Sequence, residues 1–306
     1  MPPTVPPFLH PRHTRTGVAS EFCNVRRTAE TRLAVALYGL FRDIRSTHPF
    51  LDANLFAVLR RSVGTFDIFV HSMQPAGGSD RGTPVDSLAA LKINACRLAL
   101  ANQTAVDEEY NFVQRAHRDF VSRPLLRTRA GRVHFNMGDL LNLRRALYSL
   151  QAAEALITFH EHRSAFEYSV VIVARPDTAI VSPLPFAPLV GGGIRVPNFD
   201  HWGGVNDRFA YGDRESMTAY MRRFAAIQAS GTMRAFNSEQ LLCDVLRVAR
   251  VPVGVVPLCV VRVRADGSAV LHDETAHRAG VPRNCLVPQQ VLRTSHDRLN
   301  TCRHGS

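Results

Sequence analysis

Two stretches concentrate side chains able to do chemistry. Arg175-Pro176-Asp177 follows directly on Tyr168-Ser169-Val170-Val171-Ile172-Val173-Ala174, the strongest strand pattern in the chain. A carboxylate just beyond a buried strand is placed to hold a divalent cation, Mn²⁺ or Mg²⁺, against diphosphate oxygens, and Asp177 is that candidate. Taken alone, it also fits a residue that begins a turn after proline. The second stretch, His201-Trp202-Gly203-Gly204-Val205-Asn206-Asp207-Arg208-Phe209-Ala210-Tyr211-Gly212, holds the only tryptophan and an Asn-Asp-Arg triplet between aromatic residues. Its glycines let a backbone approach a ligand. An aromatic face beside a carboxylate suits a sugar ring, so His201, Trp202, Asn206 and Arg208 are candidate contacts around Asp207. The plainer reading is a turn before a helix capped by Asp213, and both hold if Asp213 caps while Asp207 faces a cleft. Glu239, after Asn237-Ser238, is the other candidate carboxylate, at a position that a helix macrodipole also favours.

Several chemistries are excluded. Lys92 is the only lysine, in Leu91-Lys92-Ile93-Asn94, which fits neither a phosphate-binding P-loop nor a lysine-dependent nuclease motif. No G-x-S-x-G elbow occurs, and Gly191-Gly192-Gly193 does not open a clear helix after a strand. His160 and His162 of His160-Glu161-His162 point roughly 200° apart on a helix and cannot share an ion, so the trio reads as a solvated helix end. The six cysteines are dispersed without a C-x-x-C pair, which suggests a reducing compartment. The net charge of +11 comes almost wholly from arginine, a skew that coding bias explains, and no nucleic-acid-binding module accompanies it. No apolar run is long enough to cross a membrane.

These candidates need elements to hold them. Residues 1–30, with five prolines at 2, 3, 6, 7 and 11 and no apolar signal region, read as a disordered tail. The expected compartment is therefore the cytoplasm, that of the host for a viral protein, with import into an organelle as the alternative that the arginines of the tail leave open. The run from Leu33 to Phe41 is a strand buried on both faces. Residues 52–62 follow as a helix and Thr65 to His71 as a second strand; 106–121 and 138–163 are helical, the latter with Arg144 and Arg145 toward solvent. Ile194–Pro197 is a short strand, 213–229 and 238–249 are helices, and Val253 to Val263 is a strand or strand pair. The order predicts an α/β domain over 31–265, with a mainly parallel sheet flanked by helices on both faces, and a C-terminal extension over 266–306. Ligands on such sheets bind beyond the carboxyl ends of the strands, where Gly39 to Arg42, His71-Ser72 and Arg175-Pro176-Asp177 fall.

The segments "LYGLFR", "FDIFVH", "YSVVIVARPDTAIV", "VPNFDHWGGVNDRFAYGDRESMTAYMRR" and "FNSEQLL" in this order resemble the GT-A-type glycosyltransferases of giant viruses, algae and bacteria, loosely related to lipopolysaccharide-synthesis enzymes. The resemblance covers about residues 33–263. It implies a GT-A-like Rossmann-type sheet, a nucleotide-sugar donor near Gly39, Arg42, His71, Arg175 and Asp177, and a glycan or other hydroxyl acceptor near His201, Trp202, Asn206 and Arg208. It also implies Asp207 as general base for an inverting transfer, with Glu239 as the second carboxylate. Arg175 stands where such enzymes carry the first carboxylate of their Asp-x-Asp metal motif. This departure puts metal dependence in question, because an arginine can itself neutralise diphosphate. It also favours the rival reading, a non-catalytic glycan- or nucleotide-binding descendant of the fold. An arginine-rich nucleic-acid-binding protein is the third reading.

Overall fold

The computed structural model of the protein describes residues 31–42, 44–80, 89–122, 136–187, 192–230 and 237–264, with short pieces at 14–18, 22–24, 83–85, 126–128, 131–133 and 266–267. The expected C-terminal extension lies almost wholly outside the described residues. An eight-stranded sheet is built from β1 (Thr14–Val18), β2 (Leu33–Gly39), β3 (Asp67–Gln74), β4 (Arg97–Asn102), β5 (Val170–Ala174), β7 (Ile194–Pro197), β8 (Phe209–Asp213) and β9 (Val253–Val256), in the order β1-β4-β3-β2-β5-β8-β7-β9. β6 (Thr178–Ile180) and β10 (Val260–Arg262) form a separate antiparallel ribbon. Strands β4, β3, β2 and β5 are mutually parallel, and only β1 and β8 run against the rest. The expected α/β class with a mainly parallel sheet is what the chain forms.

The apolar run at Leu33 belongs to the centre of this sheet for a simple reason. Side chains alternate along a strand, so a strand covered on both faces must be apolar at every position. Ala34, Ala36 and Tyr38 pack into a core with α5 (Met137–Ser164), α6 (Arg214–Met221) and α8 (Ser238–Val248). Leu33, Val35 and Leu37 face the opposite core with α1 (Ile44–Leu51) and α2 (Ala57–Val63). α5 carries a capping box in which Asn136 and Asp139 each satisfy the other's backbone N–H. Asp213 caps α6 as expected, accepting from Ser216 N–H at 2.8 Å.

Five expectations need correction. The helix expected at 52–62 is a π turn at Asp52–Phe56 followed by α2, and it continues backward without a break into α1. Arg144 is buried and ion-paired with Asp119 of α4 (Phe112–Ser122), and Arg145 is paired with Asp107 of α3 (Gln103–Glu109), because these two helices cover the face of α5 assigned to solvent. In the trio at the end of α5, His160 and Glu161 are buried and only His162 is exposed. The described cysteines are not reduced: Cys23 and Cys96, 73 residues apart, form a disulfide, and no described cysteine is a free thiol. Spacing in sequence could not show this pair, because it closes only when the leading segment lies against the start of β4. Within the stretch read as a tail, Thr14–Val18 adds β1 to the sheet edge.

Candidate active site

The parallel strands all point their carboxyl ends at one edge of the sheet, and a cavity of about 310 Å³ opens there. Tyr38 and Gly39 end β2 at its floor, Met73 comes from β3, and Arg175 and Asp177 leave β5. Gly39 has φ of 104°, a left-handed backbone that glycine adopts without strain, and this turns the chain out of β2 beneath the cavity. Strand β8 is antiparallel to β5, with Phe209 opposite Ala174, so the residues entering β8 meet those leaving β5. That reversal carries Asp207 to the same cavity as Asp177. The first turn of α8 brings Ser238 and Glu239, the amino-terminal half of α5 brings Asp139 and Arg145, and the start of α7 (Arg223–Ser230) brings Arg223.

Asp177 is clamped by arginine. Arg175 donates from Nε to Oδ1 at 2.9 Å and from Nη2 to Oδ2 at 2.8 Å, and Arg42 donates from Nη1 to Oδ2. Burial alone would raise the Asp177 pKa, but Arg175 first and Arg42 second hold it down at about 2. The ribbon adds Arg262 from the other side, since Thr178 pairs with Arg262 and Val263 N–H donates to the Asp177 carbonyl at 2.8 Å. Both oxygens of the expected metal ligand are thus occupied by guanidinium groups, and a dication beside them would face like charge.

Asp207 and Glu239 form the opposite pattern, two carboxylates set near each other. Asp207 is buried, its Oδ2 accepts from the Ser238 hydroxyl, and its backbone carbonyl accepts from the hydroxyls of Tyr38 at 3.3 Å and Tyr220 at 2.9 Å. Glu239 is half-buried at the first turn of α8, beneath an Asn237 cap that accepts from its N–H at 2.8 Å. Desolvation and then the Asp207 charge push the Glu239 carboxyl up to about 8, so it carries a proton at neutral pH. The same burial and charge raise the Tyr38 hydroxyl to about 12, which keeps it a hydrogen-bond donor.

Gly39, Arg42, Arg175, Asp177, Asp207 and Glu239 therefore meet in one cavity, while five other candidates lie outside its lining. His71 is fully buried in β3, with Nδ1 2.7 Å from Ser149 Oγ, and that hydroxyl in turn accepts from Gly39 N–H at 2.8 Å. Burial lowers the His71 pKa to about 3, so it is a neutral support beneath Gly39. His201 and Asn206 brace the loop: Asn206 N–H donates to His201 Nδ1 at 3.0 Å and the Asn206 amide donates to the Phe199 carbonyl at 2.8 Å. Arg208 is buried in an ion pair with Asp200. Trp202 is 43% exposed and held in place through its carbonyl by the Asn237 amide. The glycine with a clear task is Gly204, where a β-carbon would overlap the backbone of Glu239; its absence seats the loop on α8 and brings Asp207 and Glu239 together.

Sequence reasoning missed four of the lining arginines, Arg145, Arg223, Arg262 and Arg264. Arg145 carried a misleading signal, its place on the polar face of α5. Arg223 carried none, because the break between α6 and α7 at Arg222 that sets its direction is not marked by glycine or proline.

Residues 149–282 match the family model described as Domain of unknown function (DUF7796), a span that contains Asp177, Asp207, Arg223 and Glu239 but not Gly39 or Arg42. The viral, algal and bacterial glycosyltransferase family that the motifs resemble is not the one that matches. No curated protein matches the chain. Among solved structures, that of mouse xyloside xylosyltransferase 1 in its apo form is similar at 8% identity over 74% of this chain and 85% of that chain, with a TM-score of 0.36.

Proposed function

We propose that this cavity binds a nucleotide-sugar donor and transfers its sugar to a hydroxyl of a glycan or other acceptor. The observation that carries the reading is the juxtaposition at one sheet edge of arginines suited to phosphate and two neighbouring carboxylates, of which Glu239 is held protonated by burial. The anomeric carbon's bond to the diphosphate oxygen breaks and the diphosphate leaves with the electron pair. The acceptor oxygen forms the new bond to that carbon and gives up its proton. With Glu239 already protonated at neutral pH, Asp207 is the carboxylate that takes this proton, and the Ser238 hydroxyl fixes its orientation.

A thermal-shift panel of nucleotide sugars tests the donor reading, since a ligand at 100 times its Kd stabilises the fold by about 2.7 kcal/mol. Absence of a shift with every nucleotide sugar, with and without Mn²⁺, rejects it. A shift without turnover on any acceptor favours the binding descendant, whereas salt-dependent retention on nucleic acid would favour the third reading. The Cys23–Cys96 disulfide is of the kind that persists in an oxidising compartment, and we place the protein there rather than in the cytoplasm. Recovery of these two cysteines as free thiols from cells would return it to a reducing compartment.

A further inference from the structure

Six arginines line the cavity, Arg42, Arg145, Arg175, Arg223, Arg262 and Arg264, against four carboxylates, Asp139, Asp177, Asp207 and Glu239. The surplus is positive, and it grows by one when Glu239 carries its proton. Three of the carboxylates are engaged: Asp139 in the α5 cap, Asp177 by Arg175 and Arg42, and Asp207 by Ser238. Arg223 is different from its neighbours. It is 1% exposed, its guanidinium lies 4.5 Å from the Tyr220 ring centroid, and its Nε and Nη1 have no hydrogen-bond partner. A buried guanidinium with unsatisfied donors is costly, and such a group in a cavity wall is explained by an anion that completes it.

We infer that the cavity takes a diphosphate directly on its arginine side chains, Arg223 above all, with no divalent cation bridging it. This rests on the donor reading above and departs from the metal dependence that the family resemblance implies. Its grounds are the occupied Asp177 carboxylate and the positive surplus. Guanidinium forks match phosphate oxygens bidentately and keep their charge at any working pH, so they supply both the neutralisation and the geometry that a cation would provide. The clamp on Asp177 then has a task of its own: it holds Arg175 and Arg42 in fixed orientation beside the cavity instead of holding a metal. As the diphosphate departs with the bonding electron pair, the charge that develops on it falls on groups already in place.

The experiment is calorimetric titration of the full chain with inorganic pyrophosphate, in EDTA and in Mn²⁺, beside a titration with Mn²⁺ alone. Pyrophosphate is expected to bind in EDTA with affinity that falls as salt rises, and Mn²⁺ alone is expected to give no site that Asp177→Asn removes. Arg223→Met, which replaces an unsatisfied buried cation with an apolar chain, should weaken pyrophosphate at least tenfold while raising Tm. Arg223→Gln, measured in parallel, should show the same loss if the methionine variant misfolds. Pyrophosphate binding only with Mn²⁺, or a Mn²⁺ site lost in Asp177→Asn, overturns the inference and leaves the donor reading standing if nucleotide sugars still bind. Metal-free pyrophosphate binding with no nucleotide sugar bound upholds the diphosphate site and rejects the donor reading. No binding of either ligand in any condition rejects both.

Discussion

The two ends of the parallel strands both bury charged groups, and they do so in opposite ways. At the amino ends, Asp67 accepts from Asn24 N–H and from the Tyr168 hydroxyl at 2.5 Å, and His160 Nδ1 accepts from Arg97 Nε at 3.2 Å. Phe69, Phe166 and Tyr168 rings surround His160, and the Cys23–Cys96 disulfide closes the cluster. Among the described residues, Asp67, His160 and Tyr168 leave no buried polar atom unpartnered and Arg32 beside them leaves one, whereas at the carboxyl ends Arg223 leaves two in the wall of a cavity. At those carboxyl ends Glu239 is also held protonated by burial and a like charge. Burial of charge does not by itself mark a working site. A polar cluster that satisfies itself holds the fold together, and one left incomplete beside a cavity is arranged for something that arrives.

The sharpest way to break this contrast is to exchange the expected losses. Asp207→Asn keeps shape and still accepts from Ser238 but is a poor base, so turnover should fall by on the order of 10²–10⁴ with donor affinity and Tm nearly unchanged. Asp67→Ala at the other end should do the reverse. It leaves the buried Tyr168 hydroxyl without its acceptor at about 1–3 kcal/mol, so Tm should drop while the residual folded protein turns over at the normal rate. Steady-state kinetics beside calorimetric melting separates the two. Normal turnover in Asp207→Asn at all acceptor concentrations removes Asp207 from the chemistry.

The disulfide gives a smaller effect of the same structural kind. Replacing Cys23 by Ser together with Cys96 by Ala should cost about 2–4 kcal/mol, because the 73-residue loop it closes is released in the unfolded chain. Pyrophosphate affinity at the far end of the sheet should not move. A change of affinity beyond twofold would show that the two ends are coupled and would undo the separation drawn between them.

Much of this architecture was legible because strands buried on both faces leave an unmistakable apolar run. Leu33–Gly39 and Val170–Ala174 were recognisable from composition, and Ile194–Pro197 matched residue for residue. β4 was not recognised, since Arg97-Leu98-Ala99-Leu100-Ala101-Asn102 holds no β-branched or aromatic residue to mark a strand. β8 was hidden inside the polar-aromatic stretch, so a central strand passed for part of a ligand loop. The same confusion explains the site. Asp177 could be placed from topology, at the end of a recognised strand, and Asp207 from its aromatic and glycine-rich neighbours, and the cavity holds them both. Whether a polar residue in the loop faces inward to brace it or outward to a ligand depends on partners distant in sequence, such as Asp200 for Arg208 or Ser149 for His71. Arg223 was beyond reach for that reason too, since its significance is the lack of a partner.

The finest distinction lies within the cavity, where two carboxylates should titrate stability in opposite directions. Glu239 has its folded pKa raised to about 8 from 4.5, so the stability it contributes is complete below about pH 4.5 and is lost as pH rises toward 8. Asp177 is held at about 2 from 3.8, so its contribution is complete above about pH 4 and is lost as pH falls toward 2. Glu239→Gln cannot ionise, and its Tm relative to the unmodified chain should climb steadily between pH 5 and pH 8, with little difference at the acid end. Asp177→Asn should lose most at neutral pH and converge on the unmodified chain as pH drops below about 4. Melting curves at one ionic strength across this range resolve both slopes. A Glu239→Gln difference that stays flat would mean that the carboxylate ionises normally at the cavity mouth, and the division of labour with Asp207 would go with it. A flat Asp177→Asn difference would mean that Arg175 and Arg42 are held by something other than that carboxylate, which would remove the physical ground for a cavity that neutralises its ligand with arginine alone.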